Sequence, residues 1–134
     1  MLKVFEMMDL GLMSYFLGME VKQNQDGVFI CQMKYVGEIL MKFHMEDCKC
    51  TNTPMNQKEK FSKDDGSDKI DEGQYRSLIG CLMYLIATKP DIMFAVSLLS
   101  RFMYCASEVH FQATEGIVRY IKGSVNYGIK YFYY

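Results

Sequence analysis

Tyr15-Phe16-Leu17-Gly18-Met19-Glu20-Val21, then Asn24-Gln25-Asp26-Gly27, then Val28-Phe29-Ile30-Cys31, is the stretch that decides the fold class. Two apolar runs flank an Asp-Gly pair, a strong short-range signal for a β-hairpin. Gly27 is expected to supply a positive φ in the turn. Side chains alternate along a strand. Phe16, Gly18 and Glu20 are therefore expected on one face, and Tyr15, Leu17, Met19 and Val21 on the other.

Outward from this hairpin the period changes. Upstream, Leu2 to Met8 reads as the tail of an element stopped near Gly11. Downstream, Tyr35, Ile39, Leu40 and Phe43 recur at helical spacing, which predicts an amphipathic helix over Met33 to His44. Periodicity then disappears from Met45 to Gly73, a length that suggests a mobile or linking segment. Gln74 to Ala87 is apolar on nearly every face, as in a helix buried all round. Thr88 is expected to cap a further helix, with Pro90 and Asp91 in its first turn and its end near Tyr104. Ser107 is the expected cap of a last helix carrying Phe111, Ile117, Tyr120 and Ile121 on one side and stopped by Gly123. Tyr127 to Tyr134 alternates and is aromatic, so it reads as a strand. The expected fold is α+β: a β-hairpin, a helix, a long loop, three packed helices and a terminal strand. Natural divisions fall at 1–32, 33–73 and 74–134.

The chain has 134 residues, which suits one domain or a piece of a larger one. Half of its residues are hydrophobic, enough for a sizeable core. The net charge of -1 excludes the strong positive field that drives affinity for phosphate backbones. Five cysteines, an odd number, argue against a disulfide framework and for a reducing, intracellular compartment, cytoplasmic or nuclear. Cys81 and Cys105 sit in apolar runs and read as small core residues. The longest apolar run, Leu78 to Ala87, is too short to span a membrane, so no membrane partner is expected.

Candidate chemistry is sparse. Asp64-Asp65 is an adjacent carboxylate pair, but its neighbours Ser62, Lys63, Gly66 and Ser67 are loop residues and read as a solvated charge cluster. His44, Cys48 and Cys50 lie close in sequence, yet they lack a fourth ligand and a Cys-x-x-Cys knuckle, so no metal site is expected. Neither histidine lies in a nucleophile motif, and the ten glycines form no phosphate-binding loop. Arg101, Arg119, Lys122 and Lys130 are interspersed with Glu108 and Glu115, the pattern of a mixed-sign helix surface.

Several phrases, in order, resemble the reverse transcriptase of copia-type retrotransposon polyproteins. They are Phe5-Glu6-Met7-Met8-Asp9-Leu10-Gly11 with Tyr15 to Val21, and Cys31-Gln32-Met33-Lys34-Tyr35 with Met45-Glu46-Asp47-Cys48 and Thr53-Pro54-Met55. Tyr75-Arg76-Ser77-Leu78-Ile79-Gly80 with Tyr84-Leu85 follows, then Thr88-Lys89-Pro90-Asp91-Ile92 with Leu99-Ser100-Arg101-Phe102-Met103. His110, Arg119-Tyr120-Ile121-Lys122-Gly123 and Tyr127-Gly128-Ile129-Lys130-Tyr131 complete the series, which covers nearly the whole chain. Departures occur at Ala106, Phe111 and Glu115-Gly116, where the family usually has Pro, Trp and a Lys-Arg pair. Gly116 within a helix costs about 1 kcal/mol relative to Ala.

The resemblance implies a piece of a polymerase right hand: the end of the palm, a thumb helix at Met33 to His44, and helices leading toward RNase H. The family's catalytic Tyr-x-Asp-Asp hairpin and its RNase H domain do not occur in this sequence. The chain alone is therefore expected to be inactive as an RNA-directed DNA polymerase, with Mg²⁺ belonging to the complete enzyme. Phe16, Leu17 and Gly18 stand where the family places its primer grip. Lys34, Lys42, Arg101 and Lys122 are the candidates for nucleic-acid backbone contact. The implied partners are an RNA–DNA or DNA primer–template and the remaining palm, fingers and RNase H parts. The alternatives are a non-enzymatic nucleic-acid-binding remnant and a structural or interaction protein.

Overall fold

Asn24 organises the turn that opens the described structure. Its Oδ1 accepts the backbone N–H groups of Asp26 at 2.9 Å and Gly27 at 3.0 Å, and its own N–H donates to the Gly27 carbonyl at 3.0 Å. This closes the hairpin between β2 (Met19–Gln23) and β3 (Gly27–Cys31), paired antiparallel with Val21 opposite Ile30. The computed structural model describes residues 13–16, 19–55, 60–62, 66–125 and 128–133.

The hairpin is half of a larger sheet. β1 (Met13–Phe16) lies antiparallel to β2, with Phe16 opposite Met19. The expected single strand from Tyr15 to Val21 is thus two strands, paired side by side from Phe16 and Met19 outward. At the other end of the chain, β4 (Ile129–Phe132) pairs with β3 and completes a four-stranded antiparallel sheet in the order β1-β2-β3-β4. The terminal strand is therefore part of the hairpin's sheet. Gly27 lies in β3 and has no positive φ; Gly66 is the glycine that does, among the described residues. The need for glycine at position 27 is spatial. A Cβ there would stand 1.9 Å from the Tyr131 carbonyl oxygen of β4.

α1 (Met33–Lys42) follows the sheet after Gln32. The helix stops two residues before His44, which takes φ 56°. The His44 N–H donates to the Met41 carbonyl at 3.3 Å and the Met45 N–H to the Leu40 carbonyl at 2.8 Å. These two bonds form a Schellman motif, and Met45 turns its side chain into the core. The aperiodic stretch after it also touches the core in its described parts, through Cys48, Met55, Phe61 and Ile70.

α2 (Glu72–Leu85) begins two residues earlier than its apolar pattern suggests, because Asp71 caps it by accepting the Gly73 N–H at 2.9 Å. Tyr75, Leu78, Ile79, Leu82 and Leu85 are buried, whereas Met83 and Tyr84 are exposed; the helix has one buried face rather than burial all round. Thr88 does not cap the next element. The chain instead enters a 3₁₀ turn at Pro90–Ile92 and then α3 (Met93–Ser100), which ends four residues before Tyr104. Ser107 does cap α4 (Glu108–Gly123). Side chains from all four helices share one core that includes Val36, Ile79, Leu99 and Ile117. Cys81 is half-buried against this core and Cys105 is half-buried; the fully buried cysteine is Cys31. Val21 and Val28 form a small second cluster on the sheet, with Ile30 and Tyr133 against it. No helix among the described residues is long and apolar enough to cross a membrane.

Candidate nucleic-acid interface

The junction between the sheet and α1 is built from two side chains that reach across the fold. Oε2 of Glu20, on β2, accepts the backbone N–H of Lys34 at 2.8 Å. Gln32 precedes α1 but gives it no side-chain cap, so this distant carboxylate satisfies an orphan amide of the first turn. Gln32 turns away, and its Oε1 accepts the Thr88 hydroxyl at 2.5 Å in a buried setting. That bond explains why Thr88 is unavailable as a helix cap.

Beside it lies a buried lysine. Lys89 is 3% exposed, and its Nζ donates to the Ser124 carbonyl, just past the end of α4, at 2.5 Å. Burial pushes its ammonium below the usual lysine range, opposed by the Asp91 carboxylate. Asp91 also accepts the Tyr120 hydroxyl. Thr88-Lys89-Pro90-Asp91 thus ties the exit of the sheet, the start of α3 and the end of α4 together. It is a framework rather than a substrate-facing motif.

The candidate contact residues fall as follows. Phe16 ends β1; Leu17 and Gly18 lie outside the described residues. Lys34 and Lys42 are exposed at opposite ends of α1, with exposed Glu38 between them. Lys42 Nζ donates to Ser77 Oγ of α2 at 2.9 Å. Arg101 is exposed at the end of α3. Lys122, on the last turn of α4, donates to the carbonyls of Glu46 and of Cys48, the latter at 2.7 Å, and so clasps the segment after α1. The four cations stand on three different helices.

Asp64 and Asp65 lie outside the described residues. Among the described residues, no three His, Cys, Asp or Glu side chains are grouped so as to hold a metal ion. His44 serves the end of α1, as described above.

Nothing local in the sequence marks His110 as part of a helix cap. Its Nδ1 accepts the Ser107 N–H at 3.0 Å, so the ring proton sits on Nε2, which donates to the Ser62 carbonyl at 2.9 Å. Phe102 stacks on the ring at 3.9 Å and 14°, and Phe61 meets it edge-on. Ser107 and His110 form a reciprocal capping box with histidine in the place of the usual Glu or Gln, which hid the signal.

Residues 1–57 match the family described as reverse transcriptase (RNA-dependent DNA polymerase). A retrovirus-related Pol polyprotein from transposon RE1 of Arabidopsis thaliana is 38% identical over 125 residues, which are 93% of this chain and 8% of that polyprotein. The chain belongs to the reverse-transcriptase-like region of copia-type transposon Pol polyproteins. The Pol polyprotein from transposon TNT 1-94 of Nicotiana tabacum is 33% identical over 131 residues, covering 91% of the chain and 10% of that polyprotein. An uncharacterised mitochondrial protein of Arabidopsis thaliana is 36% identical over 125 residues, and here the chain spans 52% of the relative. No solved structure matches this copia-type chain.

Proposed function

We propose that this copia-type Pol region is a primer–template-positioning piece of the reverse transcriptase and does not polymerise by itself. The observation that carries the reading is the Glu20–Lys34 bond. It fixes the strand that follows the primer-grip-like Phe16-Leu17-Gly18 to the first turn of the thumb-like helix α1. A strand and a helix tied together in this way suit a part that orients a duplex by its backbone without reading bases. The reverse-transcriptase match over residues 1–57 covers both elements.

The exposed ends of α1 carry Lys34 and Lys42, which suit phosphate contact. The sequence contains no Tyr-x-Asp-Asp, so the carboxylate pair that chemistry in this family requires would come from elsewhere in the polyprotein. Mg²⁺ would act there as well.

Two measurements test this reading. A gel shift with an RNA–DNA hybrid at physiological salt should show binding that Lys34→Glu and Lys42→Glu each weaken. Lys122→Glu is a poor probe, because that ammonium holds the Glu46 and Cys48 carbonyls. A primed template with dNTPs and Mg²⁺ should give no extension by the pure chain. Extension, or hybrid binding indifferent to both lysines, would overturn the proposal.

A further inference from the structure

α3 and the turns that continue it present two large aromatic rings to solvent on the same side. Phe94 is 72% exposed and Tyr104 is 76% exposed. Arg101 is seven residues after Phe94, two helical turns, and is exposed as well. Beyond Ser100 the chain advances in three-residue turns. The N–H groups of Phe102, Met103 and Cys105 donate to the carbonyls of Leu99, Ser100 and Phe102. Residues three apart eclipse in such turns, so Tyr104 follows Arg101 on the same face. Ala95, Val96, Leu99 and Phe102 take the opposite, core-facing side.

The face already shows the chemistry of stacking. From α2, the Arg76 guanidinium lies 4.9 Å from the centroid of the Tyr104 ring. Arg76 is held there by Glu72 at 2.8 Å and by the Met103 carbonyl at 3.5 Å. Between Phe94 and Tyr104 the chain carries Arg101 and no carboxylate. Serines separate the two rings, at positions 97 and 100, so the surface is not the continuous apolar patch that a protein partner would bury.

We propose that Phe94, Arg101 and Tyr104, with Arg76 behind Tyr104, form a stacking platform for an unpaired nucleic-acid strand. The proposal rests on the nucleic-acid reading above but uses a different surface from α1. Flat exposed rings accept any base on their π-faces, and an unpaired strand alone offers those faces. Phe94 and Tyr104 are on the order of 15 Å apart along the chain's helical path, room for a base at each ring. Arg101 between them matches the intervening phosphate in charge. The platform therefore prefers unpaired over duplex strands and purines over pyrimidines, with a shallow salt dependence set by one or two cations.

Fluorescence anisotropy of the full chain with short unstructured adenine and thymine oligonucleotides tests this. Binding is expected to the adenine strand first. Phe94→Ala and Tyr104→Ala should each weaken it by on the order of tenfold, while Tyr104→Phe keeps it. Phe132→Ala removes another exposed ring, 63% exposed on β4 with Lys130 beside it, and should change nothing. Circular dichroism of each variant checks that the fold persists. No strand binding at low salt overturns the platform, as does an equal loss with Phe132→Ala. Tyr104→Ala that abolishes concentration-dependent dimers while leaving strand affinity intact also overturns it, because a second copy would then cover the face. If unpaired-strand binding is absent, hybrid binding that still depends on Lys34 and Lys42 shows that the platform, and not the main reading, has failed.

Discussion

The Glu20 carboxylate and the Lys34 backbone N–H meet at 2.8 Å across 14 residues of chain, so β2 caps the helix that begins after β3. Glu20 is 9% exposed, which places this charge-assisted bond where water competes weakly. Replacing Glu20 by Ala leaves the first turn of α1 without its acceptor and is expected to cost about 1–2 kcal/mol. Glu20→Gln keeps an acceptor oxygen and should recover much of the loss. Amide hydrogen exchange reads the effect directly: protection should fall first in the opening turn of α1. Unchanged exchange there in Glu20→Ala would show that the bond holds nothing.

His44 sits at φ 56° in a position that a glycine usually fills at the end of a helix. A Cβ is strained in that region, and the imidazole is exposed. His44→Gly is therefore expected to raise stability by about 0.5–1 kcal/mol, a gain offset in part by the added freedom of the unfolded chain. Chemical denaturation at neutral pH measures it. A loss of stability would mean that the His44 side chain makes a contact worth more than the strain.

Local signals made part of this fold legible in the sequence. Asn24 to Gly27 marked the hairpin, the spacing of Tyr35, Ile39 and Leu40 marked α1, and Ser107 marked the start of α4. What escaped was every feature that depends on a distant partner. Gly27 looked like a turn glycine because the approach of Tyr131 is set by a strand about a hundred residues later. Thr88 looked like a cap because Gln32, which takes its hydroxyl, is 56 residues away. Nothing local marks Lys89 for burial, because the Ser124 carbonyl that takes its ammonium lies 35 residues away. Among the candidate contacts, Lys34 and Arg101 are exposed as a surface role requires, but no local pattern revealed that Lys122 is occupied by the Glu46 and Cys48 carbonyls.

At Gly27 and Gly128 the backbone of the facing chain leaves no room for a Cβ. A Cβ at position 128 would stand 2.1 Å from the Ile30 carbonyl oxygen, as one at 27 would crowd that of Tyr131. Neither obstacle is a flexible side chain, so the strands must separate. Gly27→Ala and Gly128→Ala are each expected to destabilise by about 2 kcal/mol or more and to release β4 amides to exchange before those of β2. Retained protection across β4 would contradict this register.

Tyr75 is fully buried, and its hydroxyl donates to the Leu99 carbonyl at 2.6 Å. Burial pushes its pKa up to about 12, with the Thr114 hydroxyl opposing. The folded state therefore favours the protonated form. Its stabilising contribution is complete below the unfolded value near 10 and is lost as pH rises from there through about 12. Two units correspond to about 2–3 kcal/mol. Wild-type stability should fall steeply in that window. Tyr75→Phe should begin about 1–2 kcal/mol less stable at pH 7, from the lost hydrogen bond, and then decline less with alkali. Parallel pH profiles for the two proteins would rule Tyr75 out as the source.

His110 does three jobs at once, and each fails differently on substitution. Its Nδ1 closes the cap of α4, its Nε2–H holds the Ser62 carbonyl, and its ring stacks on Phe102. His110→Gln keeps a capping-box residue but loses the stack, so a loss of about 1–2 kcal/mol is expected. His110→Phe keeps the ring contact but removes the acceptor of the Ser107 N–H and the donor to the Ser62 carbonyl, at about 2–3 kcal/mol. His110→Ala loses all three and opens a cavity, for about 3–5 kcal/mol. Thermal unfolding of the four proteins at neutral pH should rank them wild type, Gln, Phe, Ala. If Phe matched the wild type, packing alone would explain the site, and the hydrogen bonds to Ser107 and Ser62 would be incidental.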